Sequence, residues 1–226
     1  MPSLSSMSQS QDIQFDGLYA HELTVSRSEH VLLEDAELHL APATITYLYG
    51  ENGTGKTSLM RCLTGLLQPE NGKIYWNKKP INHLESGYFQ DLIFLAHSLS
   101  MKNELTIAEN LTFYAQLRTG GKCSSKKLKA DINQVLTDLG IGGLERRMFA
   151  ELSAGQQHKV ALARLMLEPA KIWILDEPFV NLDQKTRGWL AAKTLDFKAQ
   201  GGVVLFTSHH HIDELPVDQK VGVEHE

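Results

Sequence analysis

The chain has 226 residues, of which 22 are basic and 27 acidic, and its net charge is −5. Hydrophobic and charged fractions of 42% and 22% are ordinary for globular proteins and exclude a fibre or a mainly disordered chain. The acidic balance argues against a nucleic-acid partner, because nucleic-acid phosphates attract basic proteins. No apolar run approaches the roughly 18–20 residues that cross a bilayer, so we expect no membrane span in this chain.

The amino-terminal part of the chain combines a polar leader with strand patterns. Residues 1–12 are rich in serine and glutamine and lack the features of a secretory signal, so we predict a disordered lead-in there. Polar and apolar residues alternate from Ile13 to Leu40, which predicts antiparallel strands with one solvated face. A strand from Ala43 to Tyr49 then enters a glycine-rich turn, which a helix follows.

Strands and helices alternate over the rest of the chain, with one interruption. The apolar strand Leu92 to Ala96 precedes a capping box at residues 106–109, and we predict a helical insertion at about 98–150. Beyond it, the apolar strands Ile172 to Leu175 and Val203 to Phe206 are separated by a helix. The pattern predicts an α/β fold with a parallel sheet covered on both faces.

A phosphate-binding loop is indicated by residues 50–57, which fit the pattern G-x-x-x-x-G-K-[ST] between a predicted strand and a predicted helix. Glycines let backbone N–H groups curl around phosphate oxygens, while Lys56 reaches the β- and γ-phosphates and the Thr57 hydroxyl ligates Mg²⁺. An ordinary strand-to-helix turn is the alternative. The predicted nucleotide-binding residues here are Gly50, Glu51, Asn52, Gly53, Thr54, Gly55, Lys56, Thr57 and Ser58.

Two carboxylates end the apolar strand Ile172 to Leu175. Beside a phosphate loop, Asp176 would hold the Mg²⁺ water shell and Glu177 would orient or activate the attacking water. Read alone, Asp-Glu-Pro at a strand end is more often a simple turn. The phosphate loop favours the catalytic interpretation.

Ser153 and Gln156 form a capping box that opens the next helix, which by itself is a structural feature. Gly155 weakens a helix by about 1 kcal/mol relative to alanine and is not needed for capping, so we expect an anion site at this helix start. His209 follows the strand Val203 to Phe206 and could donate a hydrogen bond to a γ-phosphate. The alternative is a solvated turn of three histidines.

These motifs, in this order, resemble an ATP-binding cassette (ABC) ATPase over about residues 13–215. The resemblance implies a P-loop NTPase with a RecA-like core, an antiparallel β-subdomain and an inserted helical subdomain, with a C-terminal tail at 216–226. The segments NELTIAENLTFY at 103–114, LSAGQQHKVALARL at 152–165 and WILDEPF at 173–179 further resemble the ATP-binding subunit of the cytochrome c maturation (Ccm) haem exporter. The alternative is an ABC transporter with a different cargo.

The resemblance implies ATP and Mg²⁺ as cofactors and a second copy of the chain as a partner. In this family two copies close head to tail over two nucleotides. Ser153, Gly155 and Gln156 would therefore contact the γ-phosphate of ATP bound at the partner copy's Lys56. Asp183 matches the loop that communicates between the two sites, and the histidine after the last predicted strand matches the γ-phosphate switch.

The resemblance also implies separate Ccm-type membrane subunits that dock near residues 97–115, which places the chain peripherally at the cytoplasmic face of the inner membrane. A soluble ABC protein acting on nucleic acid is disfavoured by the acidic balance. The chain departs from the family at two places. Ser98 stands where the family has a glutamine, and Gln90 lies at the other end of that strand. The aromatic residue that commonly stacks on adenine before the first strand is missing, and Arg27 or His30 occupies that neighbourhood.

Overall fold

The computed structural model describes residues 16–27, 30–81, 87–122, 124–208 and 215–223, so the lead-in predicted at 1–12 lies outside the described residues. Within these ranges the strands are β1 (Leu18–Arg27), β2 (His30–Leu40), β3 (Thr44–Tyr49), β4 (Asn71–Trp76), β5 (Lys79–Pro80), β6 (Leu92–Leu95), β7 (Ile172–Leu175), β8 (Val203–Thr207) and β9 (Gln219–Gly222). The helices are α1 (Lys56–Leu63), α2 (Tyr88–Asp91), α3 (Ile107–Thr119), α4 (Ser125–Asp138), α5 (Ala154–Leu167) and α6 (Gln184–Ala199), and a 3-10 turn covers Phe149–Glu151.

A parallel sheet with the strand order β6-β7-β8-β3-β9 forms the core. The strands β7 and β8 are buried at every position, as expected where both faces of a parallel sheet are covered. The register pairs Leu95 with Leu175, Leu175 with Phe206, and Tyr47 with Phe206. The carboxyl ends of these strands therefore meet at one edge, where the loops that follow them can build a shared site.

The segment predicted as a C-terminal tail contains strand β9. Strand β9 pairs in parallel with β3, and the backbone N–H of Val223 donates a hydrogen bond to the carbonyl oxygen of Tyr49 at 2.8 Å. Just before the strand, Asp218 Oδ2 accepts a hydrogen bond from the backbone N–H of Ile45 at 2.8 Å. Residues 219–222 thus belong to the core sheet, because they satisfy the backbone groups that β3 would otherwise leave exposed.

A second, antiparallel sheet has the strand order β2-β1-β4-β5. Its inner face carries Leu18, Leu23 and Leu40, each 0% exposed. These leucines share one hydrophobic cluster with Leu59 and Leu63 of α1 and with residues of the core sheet. The helix after the phosphate loop is therefore held between the two sheets.

Helices α3 and α4 pack against α5 and form a lobe with its own apolar core. The buried members of this core include Ile107, Leu111, Leu136, Phe149 and Val160. A reciprocal capping box begins α3, as the sequence predicts. Helices α3 and α4 lie within the segment 98–150, whereas α5 follows it. Helix α5 contributes residues to the core of the lobe and to the α/β core, so it belongs to both.

Candidate functional site

The phosphate loop connects β3 to α1 and depends on glycine. Gly50, Gly53 and Gly55 have φ angles of 151°, 90° and 104°, which other residues rarely adopt. A Cβ atom at Gly50 would lie 2.3 Å from the carbonyl oxygen of Val223. The loop therefore curls tightly against the end of β9, and only glycine fits at its first position.

Lys56, the first residue of α1, turns its ammonium group back over the loop. Its Nζ donates hydrogen bonds to the carbonyl oxygens of Gly50 at 2.8 Å and Glu51 at 2.6 Å. The Thr54 hydroxyl donates to the same Glu51 oxygen at 3.0 Å. The first N–H groups of α1 have no side-chain cap and lie at the same end of the helix as this ammonium. That combination is suited to binding phosphate.

The other residues predicted in the loop differ in exposure. The exposed residues are Glu51, Asn52, Gly53 and Thr57. Thr54 and Gly55 are buried, and Ser58 is half-buried. A Cβ atom at Gly53 would have no atom of another described residue, apart from its chain neighbours, within 4 Å. One side of the loop is therefore open to a ligand, while the other is packed against the protein.

Asp176 lies at the carboxyl edge of the core sheet, directly after β7, and is 7% exposed. Its Oδ2 accepts a hydrogen bond from the Thr57 hydroxyl at 3.5 Å, and its Oδ1 accepts one from the Thr207 hydroxyl at 2.8 Å. Its backbone N–H donates to the carbonyl oxygen of Leu95 at 2.8 Å. Residues from β6, β8 and α1 therefore converge on Asp176, and the structure brings its carboxylate to the phosphate loop.

Glu177 follows directly and has a φ angle of 54°, in the left-handed region. Such a conformation costs roughly 1–3 kcal/mol for a residue other than glycine and tends to occur at functional sites. The backbone N–H of Glu177 donates a hydrogen bond to the Thr207 hydroxyl at 2.9 Å. One threonine therefore orders both carboxylate residues.

The oxygen atoms around Asp176 fit Mg²⁺ bound together with a nucleotide. Mg²⁺ is typically held by one or two carboxylates plus substrate phosphates, and the structure offers a carboxylate and the Thr57 hydroxyl beside the phosphate loop. Over the described ranges, no group of three or more His, Cys, Asp or Glu side chains could hold a metal ion by itself. The site therefore suits a metal that arrives with phosphate ligands.

Ser153 and Gln156 form the predicted capping box at the start of α5. The Ser153 hydroxyl accepts from the backbone N–H of Gln156 at 3.3 Å, and the Gln156 side-chain oxygen accepts from the backbone N–H of Ser153 at 3.0 Å. In the part of the chain that the structure describes, the side-chain hydrogen bonds of these two residues stay within this box. A single copy therefore does not join these residues to its own phosphate loop.

Asp183 caps the amino terminus of α6. Its Oδ1 accepts hydrogen bonds from the Thr186 backbone N–H at 2.8 Å and the Thr186 hydroxyl at 2.9 Å, while its Oδ2 lies 2.6 Å from Lys159 Nζ. The hydrogen bond from Lys159, followed by those from Thr186, lowers the pKa of Asp183. Both carboxylate oxygens are engaged within the chain, so a direct contact between Asp183 and nucleotide stays a prediction.

The remaining predicted positions separate into near and distant ones. Gln90 is exposed on α2, before β6, whereas Ser98 is exposed just after the carboxyl end of β6. Gln90 therefore lies at the amino end of β6, opposite the edge that carries the site, as predicted from its position in the sequence. His209 and the side chains of Arg27 and His30 lie outside the described residues.

The predicted site residues have contacts with two residues outside the predicted set, Thr207 and Lys159. Thr207 is the last residue of β8 and is 1% exposed. A hydroxyl at the carboxyl end of a central apolar strand is the signal that could have identified it. Lys159 lies among the polar residues of α5, and its pairing with Asp183 leaves no pattern in the sequence.

Comparisons with known proteins agree with this architecture. The model of the ABC transporter family matches residues 33–180. The chain is 40% identical over 195 residues to the cytochrome c biogenesis ATP-binding export protein CcmA of Yersinia pestis, covering 86% of this chain and 87% of that protein. It is 38% identical over 192 residues to the protein of that name from Vibrio parahaemolyticus, covering 85% and 91%. A solved dimeric bacterial ABC transporter cassette has a TM-score of 0.81 at 20% identity, covering 92% and 94%.

The family match at 33–180 contains the phosphate loop, the LSAGQ segment and the strand that ends in Asp176. The solved cassette supports the fold, and together with the family match it confirms the predicted class of an α/β P-loop ABC ATPase with an antiparallel β-subdomain. Sequence, site geometry and family match thus agree over most of the chain. The chain therefore belongs to the ABC transporter family.

Proposed function

We propose that this chain is the ATP-hydrolysing subunit of a membrane ABC transporter complex for cytochrome c biogenesis, which exports haem or releases a haem-loaded chaperone. The relatives named above are cytochrome c biogenesis ATP-binding export proteins, and they support this assignment. The observation that carries the ATPase part is the position of Asp176, which accepts hydrogen bonds from Thr57 of the phosphate loop and from Thr207 of β8.

In this proposal the residues at the sheet edge have separate roles in ATP hydrolysis. Lys56 and the amino terminus of α1 hold the nucleotide phosphates, and Thr57 and Asp176 hold Mg²⁺. When bound, Mg²⁺ neutralises charge on the phosphate oxygens. Glu177 orients or activates the attacking water from its constrained backbone position. His209 supplies a further contact with the γ-phosphate.

A second copy of the chain completes each site in a head-to-tail dimer. Gly155 is the observation that favours this. Among the described residues, a Cβ atom there would meet only the carbonyl oxygen of Asn181, at an ordinary contact distance of 3.4 Å, and the φ angle of Gly155 is not in the left-handed region. Packing within one chain therefore does not require glycine, although glycine weakens the helix by about 1 kcal/mol. Close approach of the partner copy's nucleotide, beside Ser153 and Gln156, explains its presence.

The membrane partners are separate subunits of the Ccm type. No helix within the described ranges is long and apolar enough to cross a membrane. The lobe exposes large apolar side chains on α3, with Phe113 41% and Leu117 68% exposed. The expected docking segment, residues 97–115, includes the first of these. The chain would thus lie at the cytoplasmic face of the inner membrane, held by its partners.

The cargo is tested in cells whose only copy of this protein carries Glu177→Gln. We expect loss of covalent haem from c-type cytochromes with b-type cytochromes intact, because the variant binds ATP and does not hydrolyse it. Cells carrying Glu70→Gln, a change at an exposed turn residue, are the matched control and should stain normally. Normal c-type cytochromes in the Glu177→Gln cells would contradict the cargo assignment and indicate an ABC transporter for a different cargo.

A further inference from the structure

The loop after Glu177 is tied to α5 of the same chain. Lys159 Nζ lies 2.6 Å from Asp183 Oδ2. One residue earlier in the helix, His158 Nε2 lies 3.0 Å from the carbonyl oxygen of Pro178. Because a carbonyl oxygen only accepts, His158 carries its proton on Nε2 and donates it there. We call these two contacts the clamp. They hold the loop at its beginning and at its end.

The Lys159–Asp183 pair differs from an ordinary surface ion pair. The Lys159 side chain is only 15% exposed, while the Asp183 side chain is 54% exposed but already oriented by its two hydrogen bonds from Thr186. By contrast, the Lys193–Asp196 pair on α6 has an N–O distance of 3.4 Å, and its side chains are 36% and 62% exposed. A short pair with a sheltered lysine and a carboxylate that is already ordered loses less side-chain entropy when it forms. It is therefore suited to fix geometry.

The clamp lies between two groups that belong to different nucleotide sites. Ser153, at the start of α5, faces the nucleotide of the second copy in the dimer proposed above. Lys159 follows it by six residues, or about 9 Å along the same helix. Glu177 directly precedes Pro178 and belongs to the chain's own site. A movement of α5 on engagement of Ser153 is thus passed through the clamp to the loop that carries Glu177.

We propose that Lys159 is a positioning residue that couples the two nucleotide sites, because it fixes the loop 178–183 to α5 within one chain. The inference rests on the proposed function, since it requires a dimer that hydrolyses ATP. Lys159 itself contacts neither nucleotide in this scheme. Its removal should therefore change turnover and cooperativity and leave the affinity for ATP unchanged.

The test compares Lys159→Met and Lys159→Arg in the full chain, with Lys193→Met as the matched control. We expect Lys159→Met to lower kcat about tenfold, to reduce the Hill coefficient for ATP towards about 1, and to change the ATP dissociation constant less than about twofold. Lys159→Arg should retain most of the turnover because arginine can also pair with Asp183. Lys193→Met should behave like the original chain.

A second variant separates positioning from folding. Asp183→Asn keeps a good amino-terminal cap for α6 and removes the charge that faces Lys159. If the two residues act through one contact, Lys159→Met combined with Asp183→Asn should lose no more turnover than the stronger single change. Losses that multiply, or a loss of ATP affinity equal to the loss of kcat in Lys159→Met, would overturn the inference.

Different results would contradict the coupling role of Lys159 and the proposed function. If the unsubstituted chain binds and hydrolyses ATP cooperatively but Lys159→Met does so equally well, the coupling role is wrong and the proposed function stands. If the unsubstituted chain neither hydrolyses ATP nor forms a dimer with it, the proposed function is wrong, and the coupling inference falls with it.

Discussion

The hydroxyl of Thr207 donates a hydrogen bond to Asp176 Oδ1 at 2.8 Å, across 31 positions of sequence. The same hydroxyl accepts a hydrogen bond from the backbone N–H of Glu177 at 2.9 Å. A single side chain at the end of β8 therefore determines where the Asp176 carboxylate lies and how the strained backbone of Glu177 is held.

Replacing Thr207 by valine keeps the shape of the side chain and removes both hydrogen bonds. We expect the free energy of unfolding to fall by about 1–3 kcal/mol, because a buried carboxylate oxygen of Asp176 and a half-buried N–H of Glu177 lose their partner. ATP turnover should fall as well. Urea unfolding and phosphate release measure the two effects. Thr119→Val, which removes a hydroxyl bonded to the carbonyl oxygen of Ala115 on α3, is the control and should leave turnover unchanged.

Lys56→Ala removes the ammonium group that lies over the phosphate loop. We expect the dissociation constant for ATP to rise at least about tenfold, because hydrogen bonds that involve a charged group contribute roughly 1.5–3 kcal/mol. Equilibrium dialysis with labelled ATP measures it. Lys198→Ala, which removes an ammonium paired with Asp218 at the opposite end of the sheet, should leave ATP binding unchanged. Unchanged binding by Lys56→Ala would contradict the phosphate-loop assignment.

Two substitutions of Glu177 separate the effect of its charge from the effect of its strained backbone. Both Glu177→Gln and Glu177→Asn should abolish ATP turnover, because neither side chain can act as a base. Asparagine tolerates the left-handed backbone at φ 54° better than glutamate or glutamine. We therefore expect only Glu177→Asn to gain stability, by about 1 kcal/mol in urea unfolding. Equal stability of the two variants would show that the strain is small.

Two glycines should respond to alanine in opposite directions. Gly50→Ala places a Cβ atom 2.3 Å from the carbonyl oxygen of Val223, so we expect a loss of several °C in the unfolding midpoint. Gly188 lies inside α6, and outside the helix's own backbone no part of the chain that the structure describes comes within 4 Å of its Cβ position. Gly188→Ala should therefore raise the free energy of unfolding by about 1 kcal/mol. Calorimetry of both variants checks the pair, and a tolerated Gly50→Ala would contradict the packing of β9 on the loop.

His158 makes stability depend on pH near neutrality. Burial lowers the pKa of His158 below its ordinary value of 6.5, and His97 adds repulsion, while the hydrogen bond to Pro178 opposes both. As pH falls below 6.5, the unfolded chain takes up this proton before the folded chain does, so stability declines. Urea unfolding between pH 7 and pH 5 should show the decline, and His158→Gln should reduce it. An unchanged slope in that variant would assign the dependence to other groups.

Much of the site could be predicted because its residues are contiguous. The phosphate loop, the capping box at Ser153 and the carboxylates after β7 each occupy a few successive positions, where spacing and residue type are enough. Strand β9 could not be predicted in this way. An edge strand pairs on one side only, and its burial alternates between half-buried and exposed, so it leaves no apolar run.

Local patterns of hydrophobicity and of glycine were enough to predict the α/β class, the phosphate loop and the order of the motifs. The contacts by which Thr207 orders Asp176 and Glu177, Val223 closes on Gly50, and Lys159 pairs with Asp183 became visible in the folded chain alone. These contacts join residues on different elements. The distances between these residues depend on how the sheet and helices pack, and the hydrophobic periodicity of the sequence does not predict them.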